Sequence, residues 1–334
     1  MRLSDFDYQL PAGLIAQYPA ARRDAARLLV VNRTARTIQH DIFHNIGAHL
    51  PAKSLLVVND SKVIPARLLG NKPRSGGQVE VFLLKPLGGR RFEAMVRPLK
   101  KVRDGEPLVF DGGVTARLVD RAARVVEFDR EDVLKALEKS GHIPLPPYIK
   151  RPDEASDRIN YQTVYARPAG SVAAPTAGLH FTKPLLAGLK HAGHDLARVT
   201  LHVNYGTFKP VEAEDVVSHP MHSEDYRIGA AAEQAVRQAR ADGRAVVAVG
   251  TTSCRVLEAY ARTGRTSDAT SLFMYPGAEF KLVDALITNF HLPKSTLLML
   301  VAAFGGLELV QKAYAEAIRE YYRFYSYGDA MLIV

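Results

Sequence analysis

Three short runs in this chain leave no room for a polar face. Residues 28–31 (LLVV), 55–58 (LLVV) and 245–249 (AVVAV) are apolar at every position rather than at every second one. Successive side chains of a strand point to opposite faces of a sheet, so such runs are strands buried on both sides, and something must cover each side. The covers are legible between and beyond them. "TKPLLAGLKHAG" offers Thr182 as an N-cap, Pro184 in the first turn and Gly193 at the end of a helix, and the β-branched run "RVTLHV" follows. An alanine-rich helix, "AAAEQAVRQARADG", precedes the third run; "GTTS" then turns into the helix "CRVLEAYAR", followed by a strand "DALITN" and helical stretches around "STLLMLVAAF" and "GLELVQKAYAEAIREYY". Strands alternating with helices predict an α/β fold, with a mostly parallel sheet and helices on both faces, built from residues 1–60 and 151–334.

Residues 61–150 break this pattern. "QVEVFLLK" and "RRFEAMVRP" are separated by Gly88-Gly89, "PLVF" and "VTARLV" by Asp111-Gly112-Gly113, and Gly76-Gly77 precedes the first pair. Tight turns at such intervals predict a meander of about six short strands, which closes into a small antiparallel β-barrel rather than leave two open edges. The helix-like "REDVLKALEKSG" follows, and the prolines of "HIPLPPYIKRP" read as a linker back to the first domain. Two domains suit a chain of 334 residues.

The inserted segment also holds most of the charge. It has 18 Lys and Arg against 11 Asp and Glu, so it contributes 18 − 11 = +7 of a net +9. Within "RPLKKVR", Arg97, Lys100, Lys101 and Arg103 stand together with no acid among them, the footprint of a phosphate-backbone contact. The plainer alternative is an exposed hairpin kept soluble by its cations.

Several chemistries lack a motif. A single cysteine, Cys254, excludes an internal disulfide and a multi-cysteine metal site. There is no Walker A loop, no G-x-G-x-x-G fingerprint, no nucleophile elbow and no His-Glu-x-x-His. Asp5 and Asp7 stand where a signal peptide needs an apolar run, and the apolar stretch at 297–304 is too short to span a bilayer, so a cytoplasmic protein without membrane contact is expected. Four segments instead share a histidine beside Gly, Pro, Asn or Thr at a predicted element end: "APTAGLHFT" with His180, "LHVNYGTFKP" with His202, "HPMHSEDY" with His219 and His222, and "ITNFHLPKST" with His291. Such element ends are where α/β proteins place binding loops. A fifth segment, "VGTTSCR", sets hydroxyls at a helix start that favours an anion. Taken singly, each histidine is equally a hydrogen-bonded structural residue, Thr251 and Thr252 are an N-cap cluster, and Cys254 is a small packing residue.

The motifs "VNDSKVIPARL", "GHIPLPPYI", "AAPTAGLHF", "TLHV..GTF.PV", "HPMHSE", "VGTTS", "VDALITNFHLPKSTLLMLV" and "FYSYGDAMLI", in the family's own order and in a match that runs from Asp5 to the C-terminus, resemble the S-adenosylmethionine:tRNA ribosyltransferase-isomerase family of queuosine biosynthesis. The resemblance implies an α/β domain with an inserted β-barrel. It also implies transfer of the ribosyl unit of S-adenosylmethionine to 7-aminomethyl-7-deazaguanine at the tRNA wobble position, with isomerisation to epoxyqueuosine and loss of adenine and methionine. S-adenosylmethionine is then a co-substrate, no prosthetic group or metal is needed, and a monomer is expected. The reaction needs one base and one acid, for which His180 and His202 come first and His222 and His291 second. Thr176, Gly178, Gly206, Thr207, Gly250 and Asn289 fall in the loops expected to bind substrate. Phe181, Tyr205 and Phe208 offer aromatic faces to the sulfonium, and Thr251, Thr252 or Arg255 suits the methionine carboxylate. A non-catalytic RNA-binding protein, and an enzyme for a small carboxylated metabolite, are the competing classes.

Overall fold

A computed structural model describes residues 1–204, 211 and 214–334. Its larger part is a nine-stranded sheet formed by β1 (Arg27–Asn32), β2 (Thr37–Ile42), β3 (Leu55–Asn59), β12 (Asp195–Leu201), β13 (Glu224–Ile228), β14 (Val246–Val249), β15 (Ser267–Thr270), β16 (Ala285–Asn289) and β17 (Ala330–Ile333), in the order β15-β13-β12-β3-β14-β16-β17-β1-β2. The apolar runs are strands β1, β3 and β14, and each is buried along its apolar length. Their alternation divides two cores. Leu29, Val31, Leu55, Val57, Val246 and Ala248 pack on one side with the helices α4 (Ala230–Ala241), α5 (Thr251–Thr263), α6 (Thr296–Gly305) and α7 (Leu307–Arg319). Leu28, Val30, Leu56, Val58, Val247 and Val249 pack on the other with α3 (Lys183–His191) and 3-10 turns at Phe43–Ala48 and Thr176–His180.

The sheet is mixed, not mostly parallel. The pairings β12–β3, β3–β14, β14–β16 and β17–β1 are parallel, while β15–β13, β13–β12, β16–β17 and β1–β2 are antiparallel. Each antiparallel pairing uses a strand the sequence does not announce, namely β2, β13, β15 or β17. Three of these, β2, β13 and β15, are half-exposed and polar, so they lack the apolar run that marked the others.

Between β3 and β12 the chain leaves this sheet and returns. The two crossings, β4 (Lys62–Val63) and β11 (Ala169–Ser171), pair side by side and parallel. Beyond them lies a separate antiparallel sheet of six strands, β5 (Arg67–Asn71), β6 (Gln78–Gly88), β7 (Arg91–Arg97), β8 (Pro107–Phe110), β9 (Thr115–Asp120) and β10 (Val125–Phe128). It has its own apolar core, which includes Leu68, Val81, Phe92, Leu108 and Phe128 and is capped by Val133 and Leu137 of α1 (Val133–Ser140). Residue 141 must be glycine for lack of space: a Cβ there would meet the Pro65 carbonyl oxygen at 2.2 Å. "HIPLPPYIKRP" does more than link. Ile143 and Ile149 pack with Ala16, Tyr161, Ala174 and Tyr327, and the Tyr148 ring lies 4.6 Å from that of Tyr325.

Candidate functional site

Parallel strands β3, β12, β14 and β16 end together at Asn59, Leu201, Val249 and Asn289, and the loops leaving β12, β14 and β16, with residues 173–177, line a cleft there. Such strand ends are where open α/β sheets bind ligands. Thr176, Gly250, Thr251, Thr252, Asn289 and His291 line this cleft together with Val203, so four of the five segments singled out in the sequence do converge. Asn59 fixes two of its walls. Its Nδ2 donates to the Leu201 carbonyl at 2.9 Å and to Thr252 Oγ1 at 3.3 Å, and its Oδ1 accepts from the Leu201 N–H at 3.1 Å.

The helix α5 begins at the cleft without a side-chain cap, because its N-cap residue is Gly250 at φ 91°. A left-handed φ at that point is open to glycine and strained for other residues. The first-turn N–H groups are thereby directed at whatever occupies the cleft. Cys254, in the same turn, is buried, and burial pushes its thiol well above the usual range.

Asn289 is the most constrained polar group in the cleft. Its Nδ2 faces His180 Nε2 at 3.1 Å, the Tyr325 carbonyl at 3.2 Å and the Asp329 carbonyl at 3.4 Å. Two of those partners only accept, so the amide orientation is fixed, and His180 Nε2 carries the lone pair. Asn289 Oδ1 is buried with no partner among the described residues. Tyr325 itself holds φ 72°, rare for a tyrosine, and its N–H donates to the Phe290 carbonyl at 3.2 Å.

The histidines divide. His180 does not line the cleft. It is 4% exposed, lies behind Asn289 with its ring 5.0 Å from that of Phe43, and burial, aided by the Arg323 and Arg23 charges, pulls its pKa down to about 3. His291 lines the cleft but bonds Thr288 Oγ1 at 2.7 Å, and burial lowers its pKa to about 3 as well. Both are neutral at physiological pH. His202 lies outside the cleft, against Gly170 at the end of β12, with its pKa lowered by burial against opposing pulls from Asp225 and Asp60. His222 is exposed and lines an adjoining pocket that shares Leu297 with the cleft.

Other expected residues take different places for identifiable reasons. Phe181 is fully buried and packs edge-on against Phe43 in the core, so it offers no face to a ligand. Gly178 makes room for Tyr165 rather than for substrate, since a Cβ there would meet the Tyr165 hydroxyl at 2.1 Å. Arg255 lines the adjoining pocket, yet its guanidinium is spent on a buried pair with Glu224 and on the Leu272 and Thr270 carbonyls. Each of its three nitrogens thus already donates to a protein acceptor. Tyr205, Gly206, Thr207 and Phe208 lie outside the described residues. The sequence reading missed Tyr148, Ser326 and Tyr325, which close the cleft; Tyr148 Oη and Ser326 Oγ are 2.6 Å apart. Their signal was present in "GHIPLPPYI" and "FYSYGDAMLI", but prolines and a C-terminal position pointed elsewhere.

Arg97, Lys100, Lys101 and Arg103 are exposed and, among the described residues, free of ion pairs. They sit at the end of the six-stranded module remote from its crossings. Strand β5 starts at Arg67, bridged to His142, and ends at Asn71; in the turn beyond, the Lys72 ammonium donates to the Lys101 carbonyl at 2.6 Å and Arg74 is exposed. The tip thus gathers six cations, two more than the sequence reading named. Among the described residues no group of three His, Cys, Asp or Glu is placed to hold a metal ion, and no single helix is long and apolar enough to cross a membrane.

A mixed α/β sheet with a cleft at its parallel strand ends, where threonines, an asparagine and a histidine stand among apolar side chains, joined to a separate basic antiparallel module, defines the class. A family model described as queuosine biosynthesis protein matches residues 3–333. An S-adenosylmethionine:tRNA ribosyltransferase-isomerase from Sulfurihydrogenibium sp. is 48% identical over 336 residues, and one from Symbiobacterium thermophilum is 51% identical over 343, both alignments covering 100% of each chain. The crystal structure of S-adenosylmethionine tRNA ribosyltransferase from Thermotoga maritima aligns with a TM-score of 0.57 and 40% identity over 99% of this chain and 100% of that one. The chain belongs to the queuosine biosynthesis protein family.

Proposed function

We propose that this protein is a tRNA ribosyltransferase-isomerase that moves the ribosyl unit of S-adenosylmethionine onto 7-aminomethyl-7-deazaguanine at the wobble position, releasing adenine and methionine. Family membership supplies the reaction; the observation that carries it onto this molecule is the convergence of Thr176, Thr251, Thr252 and Asn289 on one cleft. The chain divides into an α/β domain, residues 1–60 and 151–334, and an inserted basic domain, residues 61–150, whose ring of six strands is a closed barrel. S-adenosylmethionine is a co-substrate, no metal or prosthetic group takes part, and the enzyme acts as a cytoplasmic monomer.

The methionine carboxylate is assigned to the uncapped start of α5, where free N–H groups and the helix dipole favour an anion. Asn289 Oδ1 accepts from a hydroxyl or amino group of the nucleoside. The sulfonium acidifies the ribose 5′ protons; removal of one gives an ylide, adenine departs once protonated, and the substrate amine adds to the vinyl sulfonium before methionine leaves. Proton transfer falls to His222, exposed in the pocket adjoining the cleft, while His180 and His291 act as neutral positioning groups. The cations at the tip of the barrel hold the tRNA backbone while the wobble base is splayed into the cleft.

Adenine release tests this reading. Purified protein should release adenine from S-adenosylmethionine only with tRNA carrying the aminomethyl base. His222→Gln should slow single-turnover release by about 100-fold. Tight tRNA binding without release would favour the non-catalytic reading, and release without tRNA would favour the small-metabolite enzyme.

A further inference from the structure

The nine-stranded sheet is covered on both faces only in its middle. In β12, Ala197, Val199 and Leu201 point into the helical core while Arg198 and Thr200 point to the other side and remain half-exposed. Strand β13 repeats this, with Tyr226 and Ile228 buried and Asp225 and Arg227 exposed. The registers Thr200↔Arg227, Asp225↔Ala269 and Arg227↔Ser267 put all these residues on one face, since directly opposed residues of antiparallel strands point the same way. That face of β12, β13 and β15 is open.

Its charge is one-sided. Of its acids, Asp225 is held at 2.8 Å by Lys85 from β6 of the six-stranded module, and Asp60 accepts from Thr200 Oγ1 at 2.7 Å. Arg198 and Arg227 have no acid partner among the described residues. Beside them runs an open groove whose lining includes Arg167, Lys183 and Lys190, also without acid partners among the described residues. Across the groove Arg244 is already paired with Asp195 at 2.7 Å. Two polar groups here are buried and, among the described residues, unpartnered: Arg198 Nε and the hydroxyl of Tyr165, which is 6% exposed. Scattered surface cations keep their donors in water; a guanidinium with a buried donor and no acceptor needs an anion to complete it.

We propose that this open sheet face is a second RNA-backbone contact, separate from the tip of the six-stranded module, holding the phosphates of the strand that leads into the cleft. It rests on the reading of tRNA as substrate. Charge selects the occupant: five cations without acid partners among the described residues, against Asp225 held by Lys85 and Asp60 bonded to Thr200, leave the face and its groove net positive, and a phosphate chain suits their spread better than one small anion. Position selects the segment, because β12 runs from this face to the cleft, and the Lys85–Asp225 pair joins the face to the basic module.

The test is tRNA affinity measured between about 50 and 200 mM salt for the full-length protein, with adenine release followed separately. Arg227→Gln with Lys190→Gln removes two exposed charges without touching the core, and is expected to weaken binding several-fold and to lower the log–log salt slope by about 2. Adding Arg198→Gln should bring the loss to about 10- to 30-fold, with kcat at saturating tRNA unchanged. Unchanged affinity and slope in the double and triple variants would overturn the proposal. So would unchanged RNA affinity accompanied by loss of self-association, which would give the face to a second copy of the chain. If the parent protein bound tRNA yet released no adenine, the proposed reaction would fail while the affinity series still decided the surface.

Discussion

Around the cleft and the pocket adjoining it, His180, His291, Asn289 and the Glu224–Arg255 pair lie out of water, whereas Arg97, Lys100, Lys101 and Arg103 at the module's tip lie in it. The same fold therefore uses polar groups in two ways. Burial shifts protonation, fixes orientation and makes each partner costly to lose. Exposure leaves the charges individually weak, screened by salt and useful in number. Substitutions in the cleft should act through stability and turnover and be indifferent to salt, and those at the tip should act through affinity and depend on it.

The largest effect is expected at Glu224, 4% exposed. Glu224→Ala strands the Arg255 guanidinium, 6% exposed, in the core and should cost about 3–5 kcal/mol of stability by chemical denaturation, little altered by salt. A loss under 1 kcal/mol would show that water reaches the pair and would break the contrast. Next is pH. The folded pKa of His180 and of His291 lies near 3, below the ordinary 6.5, so the unfolded chain binds more protons as pH falls. The stability contributed by keeping them neutral is full above pH 6.5 and is lost progressively towards pH 3. Between pH 7 and pH 5 about 2–4 kcal/mol should disappear, and His180→Asn should flatten that fall. An unchanged slope in this variant would remove His180 as the cause.

Smaller again is Gly178→Ala, whose new methyl meets the Tyr165 hydroxyl; about 1–3 kcal/mol should be lost, and Tyr165→Phe should restore part of it. If the second change gave nothing back, Tyr165 would not be what demands a glycine there. Smallest in energy is the tip. Lys100→Gln with Lys101→Gln should leave stability within about 0.5 kcal/mol and weaken tRNA binding several-fold, with a shallower salt dependence. A salt-independent loss would sharpen the comparison by making the tip a shaped contact rather than an electrostatic one.

Much of the fold was legible because the strands that carry it are extreme. Residues 55–58 can be buried on both faces and nothing else, and Gly88-Gly89, at φ 99° and 54°, can only turn. The sheet's mixed direction was not legible, because β13 and β15 alternate polar and apolar over four or five residues and resemble loops. The cleft's lining was half visible. Gly-Thr-Thr at a helix start announces itself through local chemistry, but whether a histidine faces a cleft or stands behind an asparagine depends on contacts 109 residues apart in sequence, as for His180 and Asn289. Periodicity carries no information at that range. Tyr148 was hidden for another reason: prolines forbid regular structure without forbidding a defined place.

The burial of Cys254 beside the cleft turns the chain's only sulfhydryl into a built-in clock. A thiol reagent can reach it only in molecules whose first turn of α5 has opened, so the labelling rate reads the frequency of that opening directly. A ligand seated on Thr251 and Thr252 should lengthen the interval between ticks, and one bound at the module's tip should leave it alone. Occupancy of the two regions can then be timed separately in the unaltered protein, with no label to introduce and no competing cysteine to remove.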